Sequence, residues 1–149
     1  MAAARRGRRR WGRCNQRPDR GGGGCDRALR AGLTEHRYAP WGIFRDGRLI
    51  GHGGLNWVPE FGETEVLWAL HPDAWGCGYA TETARAALES GFSALGLERI
   101  FAITWPDNRP SQAVMTRLGM MYRKNVAYKG IEAVWLEIER ESWLGCMAG

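Results

Sequence analysis

Residues 65–83 read EVLWALHPDAWGCGYATET, and this stretch predicts a buried strand that turns directly into a helix. Residues 66–70 are all apolar, which is typical of a strand covered on both faces. A His-Pro-Asp sequence then ends the strand, and Gly76 and Gly78 open a tight turn. From Tyr79 onward, apolar side chains recur at the spacing of one helix face.

The turn before this helix is a candidate anion-binding loop. The first N–H groups of a helix have no partner inside it and carry partial positive charge, and glycine lets a phosphate approach the main chain closely. The glycine pair alone does not specify a ligand. Thr81 stands where a dinucleotide-binding fingerprint has its third glycine, and the Gly-Lys-Ser/Thr of a Walker loop is absent. From the loop alone, a tight turn without a ligand stays an equal alternative.

Two motifs carry a resemblance to a known family. Residues 71–82 read HPDAWGCGYATE, residues 108–120 read NRPSQAVMTRLGM, and an apolar segment at residues 99–104 lies between them. In this arrangement the chain resembles the core of the GNAT N-acetyltransferases, and within them the ribosomal-protein alanine acetyltransferase branch. The resemblance covers residues 38–143. It implies direct transfer of an acetyl group from acetyl-CoA to an amine, without an acyl-enzyme.

The resemblance also implies where acetyl-CoA lies, in the gap between two central parallel strands. It implies three groups of residues that contact acetyl-CoA: one along the acetyl-pantetheine arm, one around the pyrophosphate, and one that follows the end of the second strand. The residues in these three groups are Ala69, Leu70 and His71, then Trp75, Gly76, Cys77, Gly78, Tyr79, Ala80 and Thr81, and then Asn108 and Ser111. Since Cys77 faces the phosphates in this arrangement, we interpret it as a small loop residue and not as a nucleophile.

Three candidate catalytic residues follow from the resemblance. Glu65, a carboxylate of the cofactor strand, is the candidate general base, acting through water. A strand-start surface carboxylate is the equal alternative, because alternation cannot decide which face Glu65 takes. Ser111 is the candidate hydroxyl near the leaving sulfur, because Met115 stands where many family members carry a tyrosine. Asn108 is expected to order the strand end or the cofactor, and helix capping is the alternative for both Asn108 and Ser111.

The surrounding sequence predicts strands of mixed direction. Asp46-Gly47 separates two apolar runs, as in a tight hairpin, and a helix is expected at residues 111–118. Further strands are expected at residues 99–105, 122–128 and 133–139. The fold class is therefore α/β, an α+β mixed sheet with helices on both faces, and by resemblance the acyl-CoA N-acyltransferase fold. The family's first strand and two helices are not evident, so we expect them to be missing or replaced.

Residues 1–35 form an Arg- and Gly-rich segment that we separate from the domain at residues 36–149. The first 30 residues hold ten arginines and two aspartates, a net charge of +8, against +5 for the whole chain. Few large apolar side chains and four consecutive glycines predict disorder. Three further interpretations stay open: weak contact with nucleic acid, an organelle transit peptide, and a start codon set upstream of the true one.

The remaining composition argues against several classes of protein. Cys14, Cys25, Cys77 and Cys146 share no metal-ligand spacing with each other or with the three histidines, so we expect no catalytic metal. The scattered cysteines favour a reduced, cytoplasmic protein, and no apolar run approaches the ~20 residues of a membrane span. We expect a monomer or a homodimer. The predicted function is an N-acetyltransferase acting on a protein N-terminus or a small-molecule amine. The alternative is a catalytically impaired acyl-CoA-binding or RNA-associated module.

Overall fold

The computed structural model describes residues 36–149, which contain a six-stranded mixed sheet. The strands are Trp41–Arg45 (β1), Arg48–Val58 (β2), Glu63–Leu70 (β3), Arg99–Thr104 (β4), Met121–Tyr128 (β5) and Ile131–Glu139 (β6). They lie in the order β1-β2-β3-β4-β6-β5. The central pair, β3 and β4, is parallel, and every other neighbouring pair is antiparallel.

The two central strands pair at one position and then part. Among the described residues, Glu65 and Phe101 are the only bridge partners between β3 and β4. Beyond this point β3 continues to Leu70 and β4 to Thr104. On its other side β3 pairs with β2 along its whole length. The gap therefore opens at the carboxyl ends of two parallel strands, where open α/β sheets bind their ligands.

Three α-helices of the described chain pack against one face of the sheet. Helix α1 (Tyr79–Glu89) and a π-helical turn (Ser90–Ala94) connect β3 to β4, α2 (Arg109–Arg117) connects β4 to β5, and α3 (Arg140–Met147) follows β6. Apolar side chains from all three helices meet those of the sheet in one buried core. Its larger members are Leu55, Val66, Leu88, Phe92, Ile100, Met115, Leu118, Leu136, Ile138 and Trp143.

The opposite face of the sheet is covered by aromatic side chains of the strands and of the β2–β3 loop. Phe101 and Trp135 stack with their ring centroids 3.8 Å apart, and Phe61 packs edge-on against both. Val58 joins the same cluster. The expectation of helices on both faces is wrong for residues 36–149, because the apolar sides of all three α-helices converge on the other face.

A glycine of β2 sets the distance between α1 and the sheet. A Cβ at Gly53 would lie 2.6 Å from Cγ2 of Thr83 in α1 and 2.9 Å from the carbonyl oxygen of Leu67 in β3. Neither distance is compatible with a side chain at this position. Glycine here lets α1 lie flat on β2 and β3, which brings the N-terminus of α1 beside the end of β3.

The mixed α/β class predicted from the sequence is confirmed. Asp46 and Gly47 have φ of 50° and 74°, as a tight hairpin turn between β1 and β2 requires. Helix α3 was not predicted. The expectations for residues 1–35, including disorder and nucleic-acid contact, fall outside the described residues, as does the expected loss of the family's first strand and helices.

Candidate active site

Two cavities meet where β3 and β4 part. The β-face cavity, of about 280 Å³, lies on the aromatic side of the sheet and is lined by Glu65, Ala69, Ile103, Tyr128 and Ala133 among others. The helix-face cavity, of about 310 Å³, lies against the N-terminus of α1 and along α2. Both are lined by Trp68, Asn108 and Ser111. The two cavities therefore adjoin at the gap in the sheet, and together they are called the cleft.

The loop between β3 and α1 is held in shape by short local bonds. A single 3-10 turn, Pro72–Ala74, follows the strand. The indole Nε1 of Trp75 then donates to the carbonyl oxygen of Leu70, 2.8 Å away. Gly76 and Gly78 have φ of 75° and 85°, which favours glycine at both positions.

The N-terminus of α1 is open toward the helix-face cavity. Gly78 is the N-cap residue, and no side chain of the described residues caps the helix there. A Cβ built on Gly76 or Gly78 meets no atom within 4 Å, so the space in front of the loop is open. An uncapped helix N-terminus with adjacent open space presents N–H donors to an anion.

Most of the residues that the sequence resemblance assigned to acetyl-CoA line the two cavities. Ala69 lines the β-face cavity, and Asn108 and Ser111 line both. The helix-face cavity is lined by Leu70, Trp75, Gly76, Gly78, Tyr79, Ala80 and Thr81. His71 and Cys77 line neither cavity. The His71 imidazole accepts from the backbone N–H of Asp73, and Cys77 is exposed.

Asn108 joins the end of β4 to the start of α2. Its Oδ1 accepts from the backbone N–H of Ser111 at 3.2 Å, and its Nδ2 donates to Oγ1 of Thr104 at 2.9 Å. It is therefore the N-cap of α2, which matches the capping alternative, and it also lines both cavities. Ser111 is buried in the first turn of α2, at the junction of the two cavities.

Glu65 is a buried carboxylate in the wall of the β-face cavity. It is 9% exposed, and Nδ2 of Asn56 on the neighbouring strand donates to its Oε1 at 2.9 Å. Burial raises the pKa of Glu65; the hydrogen bond from Asn56 and the charge of Lys129 act in the opposite direction and are smaller. The surface alternative for Glu65 is therefore wrong, and a buried carboxylate with a raised pKa is suited to accept a proton.

Four ionisable residues at the cleft were missed by sequence reasoning. His52, Tyr128 and Lys129 line the β-face cavity, and Arg117 lines the helix-face cavity. The alternation of β2 leads from Asn56 to His52 on the same face, so a register for β2 against β3 would have located His52. The other three come from β5, the β5–β6 turn and the end of α2, and no local pattern in the sequence links them to the cleft.

Within residues 36–149, no group of three or more His, Cys, Asp or Glu side chains is arranged to hold a metal ion. The same residues contain no helix long and apolar enough to cross a membrane. The polar groups at the cleft are hydrogen-bonding side chains, one buried carboxylate and the backbone N–H donors of α1.

A parallel strand pair that opens beside a glycine loop and a helix N-terminus is the setting in which α/β proteins bind anionic ligands. A family model of the GNAT acetyltransferase domain matches residues 3–121. The chain belongs to the GNAT acetyltransferase family.

Individual relatives agree with this membership. The chain is 43% identical over 74 residues to the uncharacterized N-acetyltransferase YnaD of Bacillus subtilis; this match covers 48% of this chain and 42% of that protein. It is 32% identical over 123 residues to the FsC-acetyl coenzyme A-N(2)-transacetylase of Aspergillus fumigatus, covering 72% of this chain and 52% of that protein. The chain thus spans about half the length of the curated relatives it matches.

Solved structures share the fold. An acetyltransferase from Agrobacterium tumefaciens is 28% identical with a TM-score of 0.70, and the match covers 78% of this chain and 69% of that one. A single-site mutant of the spermidine N-acetyltransferase SpeG of Vibrio cholerae is 15% identical with a TM-score of 0.65 over 82% of this chain and 77% of that one. At this low identity the SpeG match shows the fold alone.

Proposed function

We propose that this protein is an N-acetyltransferase that moves an acetyl group from acetyl-CoA directly to an amine. The observation that carries the proposal is the pair of adjoining cavities, one on each face of the sheet, at the gap between β3 and β4. Two substrates that enter from opposite faces of the sheet meet at Trp68, Asn108 and Ser111, which line both cavities. Two cavities that share these residues suit direct transfer between two bound molecules, because both reacting groups are then held close together.

The helix-face cavity fits acetyl-CoA. Residues 76–81 provide open space and uncapped N–H donors for the pyrophosphate. Past Glu65, β3 has no further bridge partner on β4 within the described residues, so the gap between the two strands has room for an extended pantetheine arm. When bound, acetyl-CoA supplies an acetyl thioester, whose C–S bond breaks as the new C–N bond forms.

The β-face cavity fits the amine. Glu65 is the only acidic side chain that lines it among the described residues, and its raised pKa favours uptake of a proton from an ammonium group. Glu65 therefore makes the attacking nitrogen neutral. Ser111 places a hydroxyl where the two cavities adjoin. It is the candidate proton donor because Met115, which also lines the β-face cavity, has no proton to donate. We assign Ser111 the relay of a proton to the leaving sulfur: its hydroxyl donates to the sulfur and takes up the proton that the attacking nitrogen loses as the amide forms. Asn108 positions Ser111.

The acceptor is an amine, on a protein N-terminus or a small molecule. The names of the relatives support the reaction type: one is a transacetylase that uses acetyl coenzyme A, and others are N-acetyltransferases. The alternative, a catalytically impaired acyl-CoA-binding module, has a distinct signature, which is binding of acetyl-CoA without release of its thiol in the presence of amines.

The test is calorimetric titration of acetyl-CoA into the purified full chain and into two glutamate variants. Gly78→Glu places bulk and negative charge at the phosphate loop, and we expect affinity to fall at least about a hundredfold. Gly62→Glu is the matched control, because Gly62 also has a positive φ and open space around it but lines neither cavity. Equal affinity in the two variants would show that the loop assignment is wrong.

Turnover then separates enzyme from binding module. We expect thiol release with a panel of peptide N-termini, polyamines and other primary amines. Ser111→Ala and Glu65→Gln should each lower turnover by about a hundredfold or more, with a much smaller change in acetyl-CoA affinity than Gly78→Glu causes. A wild-type protein that binds acetyl-CoA and releases no thiol with any amine would support the binding module instead.

A further inference from the structure

We infer that Arg117 is a phosphate-binding residue of the donor site, and that it selects a thioester carrying the coenzyme A pyrophosphate over an unphosphorylated pantetheine thioester. This inference rests on the proposed function. The family resemblance assigns the phosphates to the loop at residues 75–81. Arg117 comes from a different element, the last turn of α2.

Arg117 reaches across from α2 to the first turn of α1. Its Nη1 donates to Oγ1 of Thr81 at 3.1 Å, which holds the guanidinium beside the open N-terminus of α1. It is the only charged side chain among the described residues that line the helix-face cavity. It also makes no ion pair within residues 36–149, so most of its five N–H donors are available to a ligand.

The position of this charge points to an anion. A helix N-terminus carries partial positive charge, so a cation beside it is unfavourably placed and an anion there is stabilised. The C-terminal end of α2 offsets part of this cost, because a cation in the last turn of a helix is favourable. Glu82 on α1 is exposed and makes no ion pair with Arg117. A pyrophosphate between the guanidinium and the N–H groups of α1 would satisfy both positive groups.

A second guanidinium approaches the same turn of α1 from the other side. The Cζ atom of Arg45, at the β1–β2 hairpin, lies 5.7 Å from the ring centroid of Tyr79, the first residue of α1. Arg45 is partly engaged with Asp46, at 3.7 Å, and does not line the cavity. It raises the local potential, whereas Arg117 lines the cavity itself and has the planar donor geometry that suits a phosphate.

The experiment compares Arg117→Gln with Arg85→Gln in the full chain, by calorimetry with acetyl-CoA at several salt concentrations. Arg85 lies one turn after Thr81 on α1, is exposed and lines neither cavity, so its variant removes the same charge nearby. We expect Arg117→Gln to bind about tenfold more weakly and with a shallower salt dependence. Arg85→Gln should stay within about twofold of wild type, and Arg117→Lys should recover part of the lost affinity.

S-acetylpantetheine, which has no phosphate, separates recognition from structural support. We expect kcat/KM with this donor to be equal in wild type and Arg117→Gln, because the interaction at issue is absent. Equal loss with both donors would make Arg117 a structural residue and overturn the inference, as would Arg117→Gln binding acetyl-CoA as well as Arg85→Gln does. No binding of acetyl-CoA by the wild type is the different result that would overturn the proposed function itself.

Discussion

Replacement of Asn108 by alanine tests whether one side chain holds the end of β4 to the start of α2. Asn108→Ala removes the bond to the Ser111 N–H and the bond to the Thr104 hydroxyl. Loss of a helix N-cap costs about 1 kcal/mol, and loss of a partly buried side-chain hydrogen bond costs about 1 kcal/mol more. We therefore expect the free energy of unfolding to fall by about 2 kcal/mol, which lowers Tm by roughly 6–8 °C.

Urea denaturation followed by far-UV circular dichroism measures this change, and two further variants divide it. Asn108→Ser keeps a capping oxygen and loses the reach to Thr104, so it should recover about 1 kcal/mol. Thr104→Val removes the other partner with little change of shape. In a double-mutant cycle, Asn108→Ala and Thr104→Val should be coupled by about 1 kcal/mol. A cost of Asn108→Ala below about 0.5 kcal/mol, or strict additivity with Thr104→Val, would refute the bridge.

Three other changes probe the sheet and the cleft. At about pH 8, Glu65→Gln should have a higher free energy of unfolding than wild type, because burial raises the pKa of Glu65 and its ionised form destabilises the folded state. The difference in free energy should shrink as pH falls through the raised pKa. A difference that stays constant with pH in urea titrations would contradict this. Gly53→Ala should cost about 1–3 kcal/mol through its clash with α1, whereas Gly145→Ala, in open space on α3, should be neutral or stabilising by up to about 1 kcal/mol. Phe101→Ala should cost about 3–5 kcal/mol in thermal unfolding, against about 0.5 kcal/mol or less for the exposed Phe44→Ala.

The strand, loop and helix at residues 65–83 could be predicted from sequence because each carries a local signal. The signals are an apolar run, a proline and two glycines with positive φ, and each determines the backbone conformation of only a few neighbouring residues. Helix α3 gave no comparable signal, since Trp143 is its one buried residue. Its apolar face is therefore too narrow to show a helical period.

The face taken by Glu65 was beyond the reach of sequence because it depends on pairing. Alternation gives two possible faces, and the partner Asn56 on β2 is fixed only by the register of β2 against β3. The contact between Arg117 and Thr81 also depends on tertiary structure: the two residues are 36 positions apart, and they meet because α2 packs against α1. Most of the motif residues line the helix-face cavity, whereas the contact between Arg117 and Thr81 is a product of tertiary structure.

The early parting of β3 and β4 has a consequence for how such a protein diversifies. Under the proposed function, the pantetheine arm lies between strand edges that have no further bridge partners after Glu65 and Phe101 among the described residues, so many of the groups it meets are main-chain N–H and C=O. Every residue type except proline carries both, and side chains along β3 can drift without erasing them. The wall around Glu65, Tyr128 and Lys129 is made of side chains and has no such protection. Under the proposed function, selection can therefore change the amine that is accepted while the acyl donor stays the same.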